Sequence, residues 1–138
     1  MNAELQKRIS NYEAASMRKN FPQFKLFQGI GEFSFARNGE LFWGGRLTTN
    51  FGTEYSVAVV YPQNYPHGQI KAFVKELLEV KTKHKSIDGH LCLYSSDHGG
   101  DGEGFGSETT ASTIVGWTAA WLNAYEIDKR TGNWPGRE

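Results

Sequence analysis

The chain has 138 residues, enough for one domain with a real core. Hydrophobic residues make up 38%, charged residues 22% and the formal net charge is zero, which excludes a disordered chain and gives no basic block for a nucleic-acid backbone; the richest basic stretch, Lys81 to Lys85, is broken by Thr82. No apolar run is long enough to cross a bilayer, no signal-peptide segment stands at the N-terminus and Cys92 is the single cysteine, so an internal disulfide is excluded and a cytoplasmic protein without membrane or nucleic-acid partners is expected.

Residues 3–20 read as a helix, with Leu5, Ile9, Tyr12 and Ser16/Met17 on one face, Asn2 as a cap and Phe21-Pro22 as the stop. The period then changes. Phe24, Leu26 and Phe33, Phe35 alternate as strands do around Gly29-Ile30-Gly31. Asn38-Gly39 suits a type I′ hairpin turn, because both central positions need positive φ. Leu41 to Thr49 is the return strand, Asn50-Phe51-Gly52-Thr53 a turn, and Tyr55 to Tyr61 a β-branched central strand. Together they predict an antiparallel meander.

Residues 70–80 satisfy two templates. Ile70, Phe73, Val74, Leu77 and Leu78 fit a helix face, whereas Ile70, Ala72 and Val74 fit a strand; periodicity alone favours the helix. From Lys81 to Ser107 the chain reads as loop. Five glycines between Gly99 and Gly106 exclude a helix or strand interior there, leaving a surface loop or a flap close to Cys92. Ser107 is the expected N-cap of a last helix, with Glu108 in its first turn and Ile114, Trp117/Thr118, Trp121 and Tyr125 as its apolar stripe. That helix ends near Thr131-Gly132, and Trp134 is expected to fold back on the core. No repeat and no second domain is visible.

The lone thiol admits three readings. Flanked by Leu91 and Leu93, Cys92 suits a buried core position. With His84, His90 and His98 it offers zinc-type ligands, but the spacing matches no finger pattern and no paired C-x-x-C is present. As a nucleophile it needs help with its proton, and in an extended segment His90 and Cys92 project to the same side. Core packing and nucleophile are left about equal by these residues alone.

Larger motifs tip that balance. Tyr61-Pro62-Gln63-Asn64-Tyr65-Pro66 resembles the Pro-x-x-Tyr-Pro signature of ubiquitin-conjugating (E2) enzymes, and two prolines there end a strand in a rigid turn. Gly89-His90-Leu91-Cys92-Leu93 is similar to that family's Gly-x-Ile-Cys-Leu segment. Trp121-Leu122-Asn123-Ala124-Tyr125-Glu126 and Thr131-Gly132-Asn133-Trp134-Pro135-Gly136 look like the close of short bacterial E2-like proteins of CBASS-type antiviral and related ubiquitin-like operons. The resemblance covers nearly the whole chain.

It implies an α+β, UBC-like fold over residues 1–138: an N-terminal helix, a four-stranded antiparallel meander, an active-site loop and C-terminal helices. On that ground residues 70–76 are assigned to the fourth strand, against the helical periodicity. It implies acyl transfer without metal or cofactor. Cys92 would take the C-terminal glycine carbonyl of a cGAS-like nucleotidyltransferase or a ubiquitin-like protein from an E1-like activating enzyme, then pass it to an acceptor lysine. The sequence departs from the family's His-Pro-Asn: the position of that Asn, eight before the cysteine, is His84. Three alternatives stay open: His84 as oxyanion donor, His90 as oxyanion donor, or neither, with proton transfer a second role for His90. Tyr94, Asp97 and Asp101 are candidates for lining the site and orienting a lysine, as is Glu103; His98 reads as a solvated loop histidine. Two alternatives stay open: an E2-fold binding module without catalysis, against which the retained cysteine argues, and a cysteine hydrolase, for which no histidine with an orienting Asn or Asp can be assigned.

Overall fold

Apolar residues that alternate along its strands build a four-stranded sheet with two unequal faces. The computed structural model describes residues 6–7, 9–29, 40–62, 69–86, 89–93 and 110–135. The strands are β1 (Lys25–Gln28), β2 (Leu41–Thr48), β3 (Glu54–Val60) and β4 (Lys71–Val74). They are antiparallel, in the order β1-β2-β3-β4. Leu41, Trp43 and Leu47, then Tyr55, Val57 and Val59, then Ala72 and Val74 fill one face, which carries the main core. Phe42, Ala58, Val60 and Phe73 lie on the other face and form a smaller cluster with Leu78.

A long helix, α2 (Ala111–Thr131), packs on the larger face through Ile114, Val115, Thr118, Trp121, Leu122 and Tyr125. The N-terminal segment packs there too, through Ile9, Met17 and Phe24. This is the α+β, UBC-like arrangement of N-terminal helix, four-stranded antiparallel sheet and C-terminal helix. Among the described residues the C-terminal part holds one helix, where several were expected.

Most predicted elements recur with shifted ends. Residues 71–74 are the fourth strand; a short 3-10 turn, Lys75–Leu77, follows and turns Leu77 into the core. The helical periodicity of 70–80 thus came from a strand joined to one helical turn. Gln28 lies opposite Leu41 at the start of the β1–β2 pair, and the Asn38-Gly39 turn falls outside the described residues, as do Phe33 and Phe35. Thr110 caps α2, its hydroxyl accepting the Thr113 N–H at 3.2 Å; the predicted cap, Ser107, also lies outside. Gly132 closes the helix at φ 78°, the left-handed cap that favours glycine.

The N-terminal helix departs more from its pattern. Ile9–Glu13 is a π-helical turn that leads into α1 (Ala14–Asn20). The wider turn carries Tyr12 outward, to 62% exposure, and Glu13 inward, to 2%. Glu13 Oε1 accepts from the Tyr61 hydroxyl at 2.5 Å and from the Ala111 N–H at 2.8 Å. Tyr61 in turn accepts from Trp43 Nε1 at 2.8 Å. One carboxylate thereby ties the N-terminal helix to the first turn of α2 and the end of β3.

Glu126, also 2% exposed, anchors the other end of α2. Burial pushes its carboxyl up, but hydrogen bonds from Thr53 and Tyr55 and the charges of Arg130 and Lys129 outweigh that and hold it below its ordinary 4.5. Burial, then Glu126, push the Tyr55 hydroxyl up to about 12, so it stays a donor at neutral pH. A carboxyl lowered on folding stabilises the fold above its unfolded value, and the contribution disappears as pH falls through the lower folded value. Glu126→Gln is therefore expected to lower the melting temperature at pH 7 and to flatten its decline below about pH 4.5. Parallel melting curves for wild type and variant from pH 7 to 3 check this; an unchanged acid limb would count against it.

Candidate active site

Cys92 sits on a short hairpin that the core holds from below. The Ser86 N–H bonds to the His90 carbonyl at 2.8 Å, and the Cys92 N–H bonds to the His84 carbonyl at 2.8 Å. Lys85 lies opposite Leu91 between these bonds. The chain reverses through Gly89 at φ 99°, a conformation open to glycine and costly for other residues. Leu91 is buried, and its N–H donates to the Ala72 carbonyl of β4 at 2.9 Å. That bond ties the hairpin to β4, with His84 and Cys92 opposite each other across the stem.

The two histidines part company here. Cys92, half-buried, and His84 both line a cleft of about 330 Å³. His90 is not among its lining residues; its buried ring lies edge-on to Phe73, with centroids 6.4 Å apart. The structure brings His84 to the cysteine's cleft, although alternation along the extended segment favours His90. Tyr94, Asp97, His98, Asp101 and Glu103 lie outside the described residues.

One face of α2 forms the far wall. Trp117, Ala120, Trp121 and Ala124 recur at i, i+3, i+4 and i+7, so they share that face. Trp134 and Pro135, returning after Gly132, close one end. Trp134 packs edge-on to both His84, centroids 4.7 Å apart, and Trp121, 5.2 Å apart. Trp121 stacks on Tyr125 and donates its Nε1–H to the His84 carbonyl at 3.0 Å. That carbonyl thus accepts two hydrogen bonds, one from α2 and one from Cys92. His84 is itself left-handed, at φ 59°, which costs a side-chain-bearing residue about 1–2 kcal/mol. Lys83 Nζ meets Asp128 Oδ1 at 3.1 Å and adds a second link between hairpin and helix.

Among the described residues the cleft therefore offers one thiol and one imidazole between aromatic and small apolar walls. Such walls suit an uncharged stretch of polypeptide, and a thiol lining the cleft suits attack on a carbonyl brought there. Among the described residues, no three His, Cys, Asp or Glu side chains stand together to hold a metal. The sequence reading placed the tryptophans of the last helix in the core and did not mark Ala120 and Ala124. Their signal was available: two alanines in register with two tryptophans leave a shallow groove on a helix face.

Among the described residues no helix is long and apolar enough to cross a membrane. No curated protein and no solved structure matches the chain. A family model described as Type II CBASS E2 protein matches residues 13–138. With that match over most of its length, on a UBC-like fold, the chain belongs to the E2 protein family of type II CBASS systems.

Proposed function

We propose that this protein is a single-domain, cytoplasmic E2-like acyltransferase of CBASS antiviral defence, with Cys92 as its nucleophile. The observation that carries the reading is the half-buried Cys92 lining an apolar cleft together with His84, which lies opposite it across a two-stranded stem. The Cys92 thiolate attacks the C-terminal carbonyl of a protein partner held as a thioester on an E1-like enzyme. The new S–C bond forms, the E1 sulfur leaves as thiolate, and the chain end lies in the cleft. A lysine amine then attacks the Cys92 thioester, the C–N bond forms, the Cys92 thiolate departs and the ammonium proton passes to solvent. The partner is a cGAS-like nucleotidyltransferase or a ubiquitin-like protein.

His84 fits the oxyanion role better than His90, because His84 shares the cleft with the thiol. A donor aimed at the tetrahedral oxyanion is worth about 10²–10³ in rate. His84→Ala is therefore expected to slow lysine discharge by about that factor while thioester loading stays within a few fold, and His90→Ala to spare discharge. Single-turnover discharge to free lysine separates the two steps; equal losses in both variants would remove His84 from the role.

Reconstitution tests the whole reading. Incubation with a cognate E1-like enzyme, ATP and the candidate donor should give an adduct on this protein that reducing agent removes, with the modified peptide containing Cys92. An adduct that resists reduction, or maps elsewhere, would overturn it.

A further inference from the structure

We propose that Trp121 is a positioning residue for the Cys92 site, acting through the carbonyl of His84; the inference rests on the reading of Cys92 as the acyl-carrying nucleophile. The Trp121 ring is buried and belongs to the core, so packing accounts for the ring. It does not account for the Nε1–H, which reaches a carbonyl on a different element, 37 positions away in sequence, at 3.0 Å. That carbonyl belongs to the described non-glycine residue with positive φ. The same carbonyl holds the Cys92 N–H. The left-handed turn at His84 orients its ring towards the cleft, where it packs against Trp134.

These bonds form one chain of constraint. The indole N–H of α2 fixes the His84 carbonyl, the carbonyl fixes the Cys92 backbone, and the left-handed turn sets the imidazole. An unfavourable backbone conformation persists only where neighbours enforce it, and Trp121 is the α2 side chain bonded to the His84 carbonyl itself. Without its N–H, His84 relaxes towards ordinary φ and the hairpin loosens. The thiol becomes more open to small reagents while losing its alignment with the imidazole.

The test uses the full chain with Trp121→Phe, which keeps an aromatic ring and removes the donor. A second variant carries 3-benzothienylalanine at position 121, which keeps the ring shape and replaces N–H by sulfur. Trp43→Phe is the control: it loses a buried indole hydrogen bond of 2.8 Å to Tyr61, away from the cleft. We expect both position-121 variants to speed alkylation of Cys92 by iodoacetamide at least threefold and to slow lysine discharge about tenfold. Trp43→Phe should lower the melting temperature comparably with both rates within twofold. In a His84→Asn background, where asparagine accepts left-handed φ readily, the alkylation effect of Trp121→Phe should shrink to within twofold. Rates at position 121 that stay within twofold of wild type, or that move no more than in Trp43→Phe, would overturn the proposal. Alkylation requires neither an E1-like enzyme nor a donor. A wild type that forms no thioester would thus sink the acyl-transfer reading, with the position of Trp121 still decided by the alkylation arm.

Discussion

Cys92→Ala is expected to abolish the reducible adduct in the reconstituted reaction, and Cys92→Ser to leave at most a slow ester that reducing agent does not remove. Alanine lacks the atom that would carry the acyl group, and among the described residues the other titratable side chain lining the cleft is His84. Serine keeps a nucleophilic atom in nearly the same place. Its hydroxyl stays protonated near neutral pH, and the alkoxide is a poorer leaving group than a thiolate, so both loading and discharge suffer. Cys92 is half-buried and lines an open cleft, so truncation to alanine removes little packing and should cost less than about 1 kcal/mol. Melting temperatures measured beside the gels separate lost chemistry from lost fold. A Cys92→Ala protein that melts like wild type and still forms the reducible adduct would remove Cys92 from the mechanism.

Much of the fold was legible in the sequence, for physical reasons. A strand of alternating Val57 and Val59 has one good home in a sheet with a buried face, and β3 took it. The stripe at Ile114, Thr118, Trp121 and Tyr125 repeats at helical spacing, and all four side chains are buried in α2. What stayed hidden depends on contacts between distant segments. A π-helical turn cannot be read from residues 9–13, yet it decides that Glu13 faces the core and Tyr12 faces water. Alternation along an extended segment treats His90 and Cys92 as equivalents. The sheet beside them does not: Phe73 receives the His90 ring, while α2 and Trp134 wall the cleft of Cys92. His84 was assigned by its distance from the cysteine in a family pattern. Its place opposite Cys92 comes from the Gly89 turn, which closes the stem and pairs the backbone at positions 84 and 92.

Glu13→Ala carries the largest expected loss of stability. Its carboxylate accepts from Tyr61 and from the first N–H of α2, where the positive end of the helix favours a negative charge. Truncation leaves a buried hydroxyl and a buried N–H without that acceptor, at about 1–3 kcal/mol each, and opens space where the side chain stood. The expected total is about 3–5 kcal/mol, the range seen when one partner of a buried charged network is removed. For a domain of this size that corresponds to roughly 10–20 °C in melting temperature. Glu13→Gln keeps an oxygen acceptor and should cost less, about 1–2 kcal/mol, mainly through the lost charge at the helix end. Tyr61→Phe breaks the same chain at its middle, between Trp43 and Glu13, so the double variant should lose less than the sum of the singles. Urea unfolding of wild type and the four variants at pH 7 measures each value and the coupling. Simple additivity, or a Glu13→Ala loss within about 0.5 kcal/mol of zero, would mean that these buried bonds do not join the N-terminal helix to α2. The activity readout sharpens the distinction: Glu13 touches the start of α2 at Ala111, whereas the cleft begins two turns later at Trp117. Well below its melting temperature, Glu13→Ala should therefore load and discharge Cys92 at the wild-type rate.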